Sequence, residues 1–272
     1  MNQTPANGFR TFLILLVTQG LSVFGSMLTY FAVNVWLTQT LYPGLDQREE
    51  LALALTGLSL AFMLPQLVLG PVAGALADRW DRRKMMLSAD LGLAAVTFVM
   101  LGQMAMGSLS MPVLLLLEVL SAVFATFHQS AFETSHAMLV PQDQFARANG
   151  MMQTLFSLAR VFGPTTAAML FAVPALLPAG LPAGLKDGAV LAIGLDAVSF
   201  LLSAFVLCFL QIPSPKREAG GQQQGSLAAD VREGVRFLLE RRPLLWLLTL
   251  FVVANMGMPL VALFPPLLLK FN

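Results

Sequence analysis

Four charged residues, Asp90, Glu118, Arg160 and Asp196, sit inside stretches that are otherwise apolar enough to cross a bilayer. A charge in such a stretch is costly unless it faces a bundle interior or a wet cavity, so each is a candidate for ion binding or proton relay. Other reactive groups are few. His128 and His136 are eight residues apart with no cysteine and no suitably spaced carboxylate to complete a metal set, so no metal site is expected. Cys208 is the single cysteine, which excludes an intramolecular disulfide and reads as a buried apolar thiol. The sequence holds no H-E-x-x-H, G-x-S-x-G, Walker lysine loop or dinucleotide fingerprint. Neither an enzyme nor a cofactor is therefore expected, and ATP as direct energy source has no support.

The elements that must position these charges are membrane helices. Hydrophobic residues make up 57% and charged residues 11% of the 272 residues, against roughly 25% charge in a soluble domain. The net charge of +1, with no basic patch interleaved with aromatics, gives no sign of nucleic acid as partner. Six apolar runs follow one another: about Thr11 to Leu37, Leu51 to Ala77, Met85 to Gly107, Met111 to Phe132, Phe145 to Val173 and Ala189 to Ile212. No cleavage site follows the first, which reads as a retained span. The connection after the second carries Asp78, Arg79, Asp81, Arg82, Arg83 and Lys84, net +2, which the positive-inside tendency places in the cytoplasm. Counting outward, the N-terminus and the connection Glu133 to Arg147 are cytoplasmic, and Asp143 is placed to cap the fifth helix. After residues 1–212 comes a polar linker, 213–243, with an amphipathic helix from Ser226 to Arg242 expected to lie on the membrane face. A seventh apolar run occupies 244–270 and is broken by Asn255, Gly257, Pro259, Pro265 and Pro266.

Depth then sorts the charges. At about 1.5 Å per residue, Arg160 lies roughly 20 Å from the inner start of its helix, and Glu118 and Asp196 roughly 10 Å from the outer starts of theirs. In a hydrocarbon core about 30 Å thick these come to nearly one level. A cation and two carboxylates there can satisfy one another, either within a transport cavity or as a pair that only fixes helix register. Asp90 lies only about 8 Å from the inner start of its span, where it faces the cytoplasmic mouth or bonds to the adjoining loop, and a structural role is expected. Gln19, Asn34 and Asn149 are expected to bond across helices. Gly163 and Pro164 mark a kink or close-packing point.

The loop pattern G-x-x-x-D-R-x-x-x-R-K from Gly74 to Lys84, set between two spans, resembles the signature between helices 2 and 3 of the major facilitator superfamily. Leu139 and Pro141, then Ala146, Asn149 and Gly150, then Ala159, Arg160, Gly163 and Pro164 are similar to the helix 4 to helix 5 region of its macrolide-type and siderophore-type exporter branch. Gly194, Asp196 and Phe200 are similar to that branch's sixth helix. The resemblance implies an all-α membrane protein made of the first six-helix half of that fold, plus the linker and one helix of the second half. It implies Gly74 as a close-approach glycine, Asp78 as a gating carboxylate, and Arg79, Arg83 and Lys84 as the cationic side of the loop.

Three departures accompany it. Asp81 stands where the family usually has glycine, Thr165, Thr166 and Ala167 stand where further glycine is usual, and His128 and His136 occupy a region where many relatives carry an arginine. The resemblance also implies a second half, so the expectation is an incomplete transporter that alone does not move substrate vectorially. Export of a small organic compound or drug by secondary active transport across an inner or plasma membrane is the functional expectation. The alternatives are a non-transporting membrane interaction protein and a lysophospholipid-type facilitator. Expected partners are membrane lipid, a small organic substrate once a second half is present, and another copy through self-association.

Overall fold

A computed structural model describes residues 7–173, 187–212, 236–251 and 253. Among them are six helices long and apolar enough to cross a membrane. α1 (Gly8–Trp36) runs into a π-helical turn over Leu37–Leu41, and α2 (Arg48–Arg79) follows. α3 (Arg82–Ala105), α4 (Met111–Leu139), α5 (Phe145–Ala172) and α6 (Gly188–Phe209) complete the bundle. Pro65 and Pro71 lie within α2 and Pro164 within α5 without ending either helix, as membrane helices tolerate where neighbours re-satisfy the freed carbonyls.

Two boundaries differ from expectation. α4 continues to Leu139, so the connection to α5 begins at Val140 and not at Glu133. Nothing between 133 and 139 breaks a helix, whereas Pro141 pushes the residue before it out of the helical region, and Val140 is extended at φ −96°, ψ 127°. Asp143 does not cap α5: it lies inside a 3-10 turn, Gln142–Gln144, and Gln144 holds the N-cap position.

Between α2 and α3 only Trp80 and Asp81 intervene. The Asp81 carboxylate accepts from the Lys84 backbone N–H at 3.1 Å and caps α3. Its φ of −66° shows that this turn needs no left-handed residue, which accounts for an aspartate where the family has glycine. α3 ends on Gly107 at φ +65°, with Gly107 N–H donating to Met104 and Ser108 N–H to Gln103, a paired closure of its last carbonyls.

Across the bundle α2 packs on α4, α4 on α3, α3 on α6, α6 on α1 and α1 on α5, with α1 also touching α4. Two apolar layers fill the interior. One gathers Leu28, Trp36, Leu51, Leu55, Met100, Leu114 and Ile193; the other, toward the α2–α3 loop, gathers Phe12, Leu15, Met86, Phe132, Leu139 and Leu207. Lipid tails are as apolar as these side chains, so helix association also needs close backbone approach and polar contacts. Both occur on α1. A Cβ on Gly25 would sit 2.6 Å from Ser199 Oγ and 2.7 Å from Asp196 Oδ1 on α6, and one on Gly163 of α5 would collide with Met27 Cβ.

The linker expected at 213–243 lies outside the described residues save 236–243, and so does most of its amphipathic helix; 236–240 is helical. A helix, Arg242–Phe251, opens the seventh apolar run, whose remainder is likewise outside them.

Candidate functional site

Between the two apolar layers runs a buried polar line contributed by four helices. The Gln19 side-chain amide on α1 donates to Ser203 Oγ on α6 at 3.3 Å, and Ser203 Oγ donates to Asp90 Oδ2 on α3 at 2.6 Å. The other carboxylate oxygen, Oδ1, lies 3.2 Å from His128 Nε2 on α4, an ion-pair distance at which the imidazole is out of line for a hydrogen bond. Asp90 and Ser203 are each 1% exposed, Gln19 5% and His128 8%. Asp90 therefore neither faces the cytoplasmic mouth nor bonds to the loop, as the depth estimate had it. It points across the bundle, between two and three turns along α3 from the loop residues. Gln19 bonds across helices as expected, whereas Asn34 donates within its own helix, to the Tyr30 carbonyl at 2.7 Å.

Asp196 forms a second buried cluster, nearer the opposite end of α6. Its Oδ2 accepts from Thr29 Oγ at 2.7 Å, and its Oδ1 is 3.5 Å from both Ser26 Oγ and Ser199 Oγ. Asp196 is 2% exposed. The expected pairing with Arg160 is not made: among the described residues no ion pair joins Arg160 to Glu118 or to Asp196. The reason is orientation, which depth cannot supply. Asp196 turns toward α1, while Arg160 is exposed on α5. Glu118 is half-buried on α4.

Arg160 belongs to a stripe. Asn149, Gln153, Ser157 and Arg160 follow at intervals of four, four and three, which puts them on one face of α5, and all four are exposed. Gly163, three residues past Arg160 and on the same side of α5, is buried against Met27, so this side packs on α1 just beyond the exposed stripe.

The α2–α3 loop is engaged inwardly. Arg82 is buried, donating Nε to the Ala77 carbonyl at 3.1 Å and an Nη to the Met138 sulfur. Arg83 donates Nε to the Leu207 carbonyl at 2.8 Å and an Nη to the Cys208 carbonyl, closing the C-terminal turn of α6. Cys208 itself is exposed, contrary to the buried thiol expected. Asp78, Trp80 and the Lys84 side chain face outward. A Cβ at Gly74 would meet no atom within 4 Å, so no close approach to Gly74 occurs among the described residues. His136 is packed between the rings of Phe12 and Phe145, at 5.0 and 5.6 Å between centroids.

Sequence reasoning passed over the partnership of His128 with Asp90, and Ser203, Gln153 and Ser157 altogether. The α5 stripe had a legible signal in its helical spacing. The Asp90 line had none, because its members come from four separate helices.

A family model described as the Major Facilitator Superfamily matches residues 15–272. The chain is 28% identical over 255 residues to macrolide efflux protein A of Streptococcus pyogenes, covering 91% of this chain and 56% of that protein. It is 30% identical over 216 residues to macrolide efflux protein A of Enterococcus faecalis, covering 76% of this chain and 60% of that one. With the multidrug efflux pump Tap of Mycobacterium bovis it shares 28% over 204 residues, 73% of this chain and 45% of the pump. The chain spans about half the length of these curated relatives.

Proposed function

Because the chain belongs to the major facilitator superfamily, in its macrolide-exporter-like branch, we propose that its six helices form one wall of a path that exports a small organic compound across the cell membrane. The observation that carries this reading is the exposed stripe Asn149, Gln153, Ser157 and Arg160 on a helix of membrane-crossing length. A guanidinium midway along such a helix does not rest against hydrocarbon; it faces a water-filled path or another protein surface. In this superfamily substrate lies between two six-helix halves and is exposed to each side in turn as they rock. The stripe, together with Glu118 and Tyr30, is the wall this bundle offers to such a path. Macrolide efflux is what two of the relatives are named for, so a macrolide or similar bulky amphipathic compound is the substrate class we assign.

In the same reading the α2–α3 loop is cytoplasmic and gates the path. Arg82 and Arg83 fix the loop to its own bundle, which leaves Gly74, Asp78, Trp80 and Lys84 turned outward to meet an opposing half. Residues 1–212 act as one unit, with 213–243 a cytoplasmic connection and 244–270 a seventh span.

The test replaces Cys208 by serine and introduces cysteine singly at Gln153 and Ser157, with Met169, on the opposite face of α5, as the lipid-facing control. In native membranes a membrane-impermeant thiol reagent is expected to label positions 153 and 157 and not 169, and a macrolide is expected to slow that labelling. Equal inertness of all three positions would remove the path from this face, and labelling indifferent to macrolide would remove the substrate.

A further inference from the structure

We propose that Asp90 and His128 together form a one-proton binding site buried in this bundle, and that this proton is the ion coupled to the export described above. The first half of the proposal stands on geometry alone; the second rests on the export reading.

Among the described residues no other charged side chain is placed against the pair. On α3, Arg82 and Arg83 are bonded to backbone carbonyls about 10 Å away at the helix start, and Lys84 is exposed. On α4, Glu118 lies ten residues before His128, Glu133 accepts from Gln129 at 2.7 Å, and His136 is packed, tilted and edge-on, against two phenylalanines. On α6, Asp196 is held by Thr29 and Ser26, two turns from Ser203. α1 presents the neutral Gln19, and its Arg10 is exposed at the start of the helix. Among the described residues no cation other than a protonated His128 is placed to balance the Asp90 carboxylate.

The proton balance follows. With one proton between them the pair carries no net charge, whether as carboxylate and imidazolium or as carboxyl and neutral imidazole. Departure of that proton to water leaves one negative charge in the bundle, stabilised by the Ser203 hydroxyl alone. An unbalanced anion among apolar helices is strongly disfavoured. Release therefore favours an arrangement in which α3, α4 and α6 part enough to admit water, and binding favours the closed arrangement seen here. Ser203 and Gln19 extend that preference to α6 and α1, so Ser203 is a positioning residue and the pair is the site.

The chain has two histidines, which makes the test direct. In a His136→Gln protein carrying 15N-labelled histidine, in nanodiscs, the ring nitrogen shifts report His128 alone. Between about pH 5 and pH 8 we expect one proton-dependent step in this parent, and none after Asp90→Asn, whose His128 stays neutral throughout. A ring and an Asp90 infrared carboxyl band that both keep one state at every pH, or a step unchanged by Asp90→Asn, overturn the proton site. Where Asp90→Asn does not insert, His128→Gln serves with the infrared carboxyl band of Asp90 as readout, and a carboxyl that stays ionised in that variant is equally fatal. In vesicles holding an actively exporting parent, either variant is expected to lose accumulation driven by a pH gradient while still binding macrolide. Retained gradient-driven accumulation refutes the coupling role. A parent that exports nothing even when completed by a second six-helix half refutes the export reading and the coupling with it, and leaves the titration to decide the site.

Discussion

Replacing Gly25 by alanine should weaken the bundle at its α1–α6 seam. The added methyl would lie 2.6 Å from Ser199 Oγ, 2.7 Å from Asp196 Oδ1 and 3.0 Å from Asp196 Cα. Either side-chain oxygen can swing aside at the expense of its hydrogen bond, but the Cα is backbone, so the helices must part. Overpacking of this kind costs about 1–3 kcal/mol, and a backbone contact belongs at the upper end. Alanine is roughly 1 kcal/mol better than glycine inside a helix, which offsets part of it and leaves a loss of about 2 kcal/mol. For a bundle of this size that corresponds to a melting temperature roughly 4–8 °C lower. Gly74→Ala is the matched control: its methyl meets nothing within 4 Å, so only the helix gain remains. Thermal unfolding of both proteins in the same detergent, followed by tryptophan fluorescence or by aggregation, decides the matter. A Gly25→Ala protein that melts with or above Gly74→Ala would show that the seam is looser than described.

Arg83→Ala removes two charge-assisted donors from the last turn of α6, and such bonds contribute about 1.5–3 kcal/mol. The expected result is fraying there, read as faster maleimide labelling of Cys208, the only thiol; an unchanged rate argues against the capping role. Arg160→Glu should not be rescued by Glu118→Arg or by Asp196→Arg, because neither carboxylate meets Arg160 in the bundle. Recovery of export or of insertion in either double variant beyond the sum of the singles would restore the pairing that the structure lacks.

Helix spans were legible because the bilayer imposes their length, and span 2 to span 3 is a good instance. Charged residues mark the turn between the two helices, and the ends fall within three residues of those read from hydropathy. The end of α4 was misplaced because Glu133 and His136 look like loop residues. Yet Glu133 bonds to Gln129 within the helix and His136 finds aromatic rings. Of the site, direction did not come through: rotation about each helix axis decides whether Asp196, Glu118 and Arg160 meet, and that is set by packing. Gly25 illustrates the point: nothing in the neighbouring sequence says that it faces Asp196, 171 positions on, rather than lipid.

The polar contacts of α1 with α6 join positions 167 to 184 residues apart. A chain made at about 5–20 residues per second therefore delivers Asp196, Ser199 and Ser203 roughly 10–40 s after Gln19, Ser26 and Thr29. Throughout that interval the polar side of the first helix lacks its final partner while four other helices enter the bilayer. It must be shielded meanwhile, by the insertion machinery, by water at the lateral gate or by a provisional neighbour. Biogenesis of this bundle thus finishes by threading its sixth helix beside its first, and a chain stalled before Asp196 would present that unfilled seam to quality-control proteases.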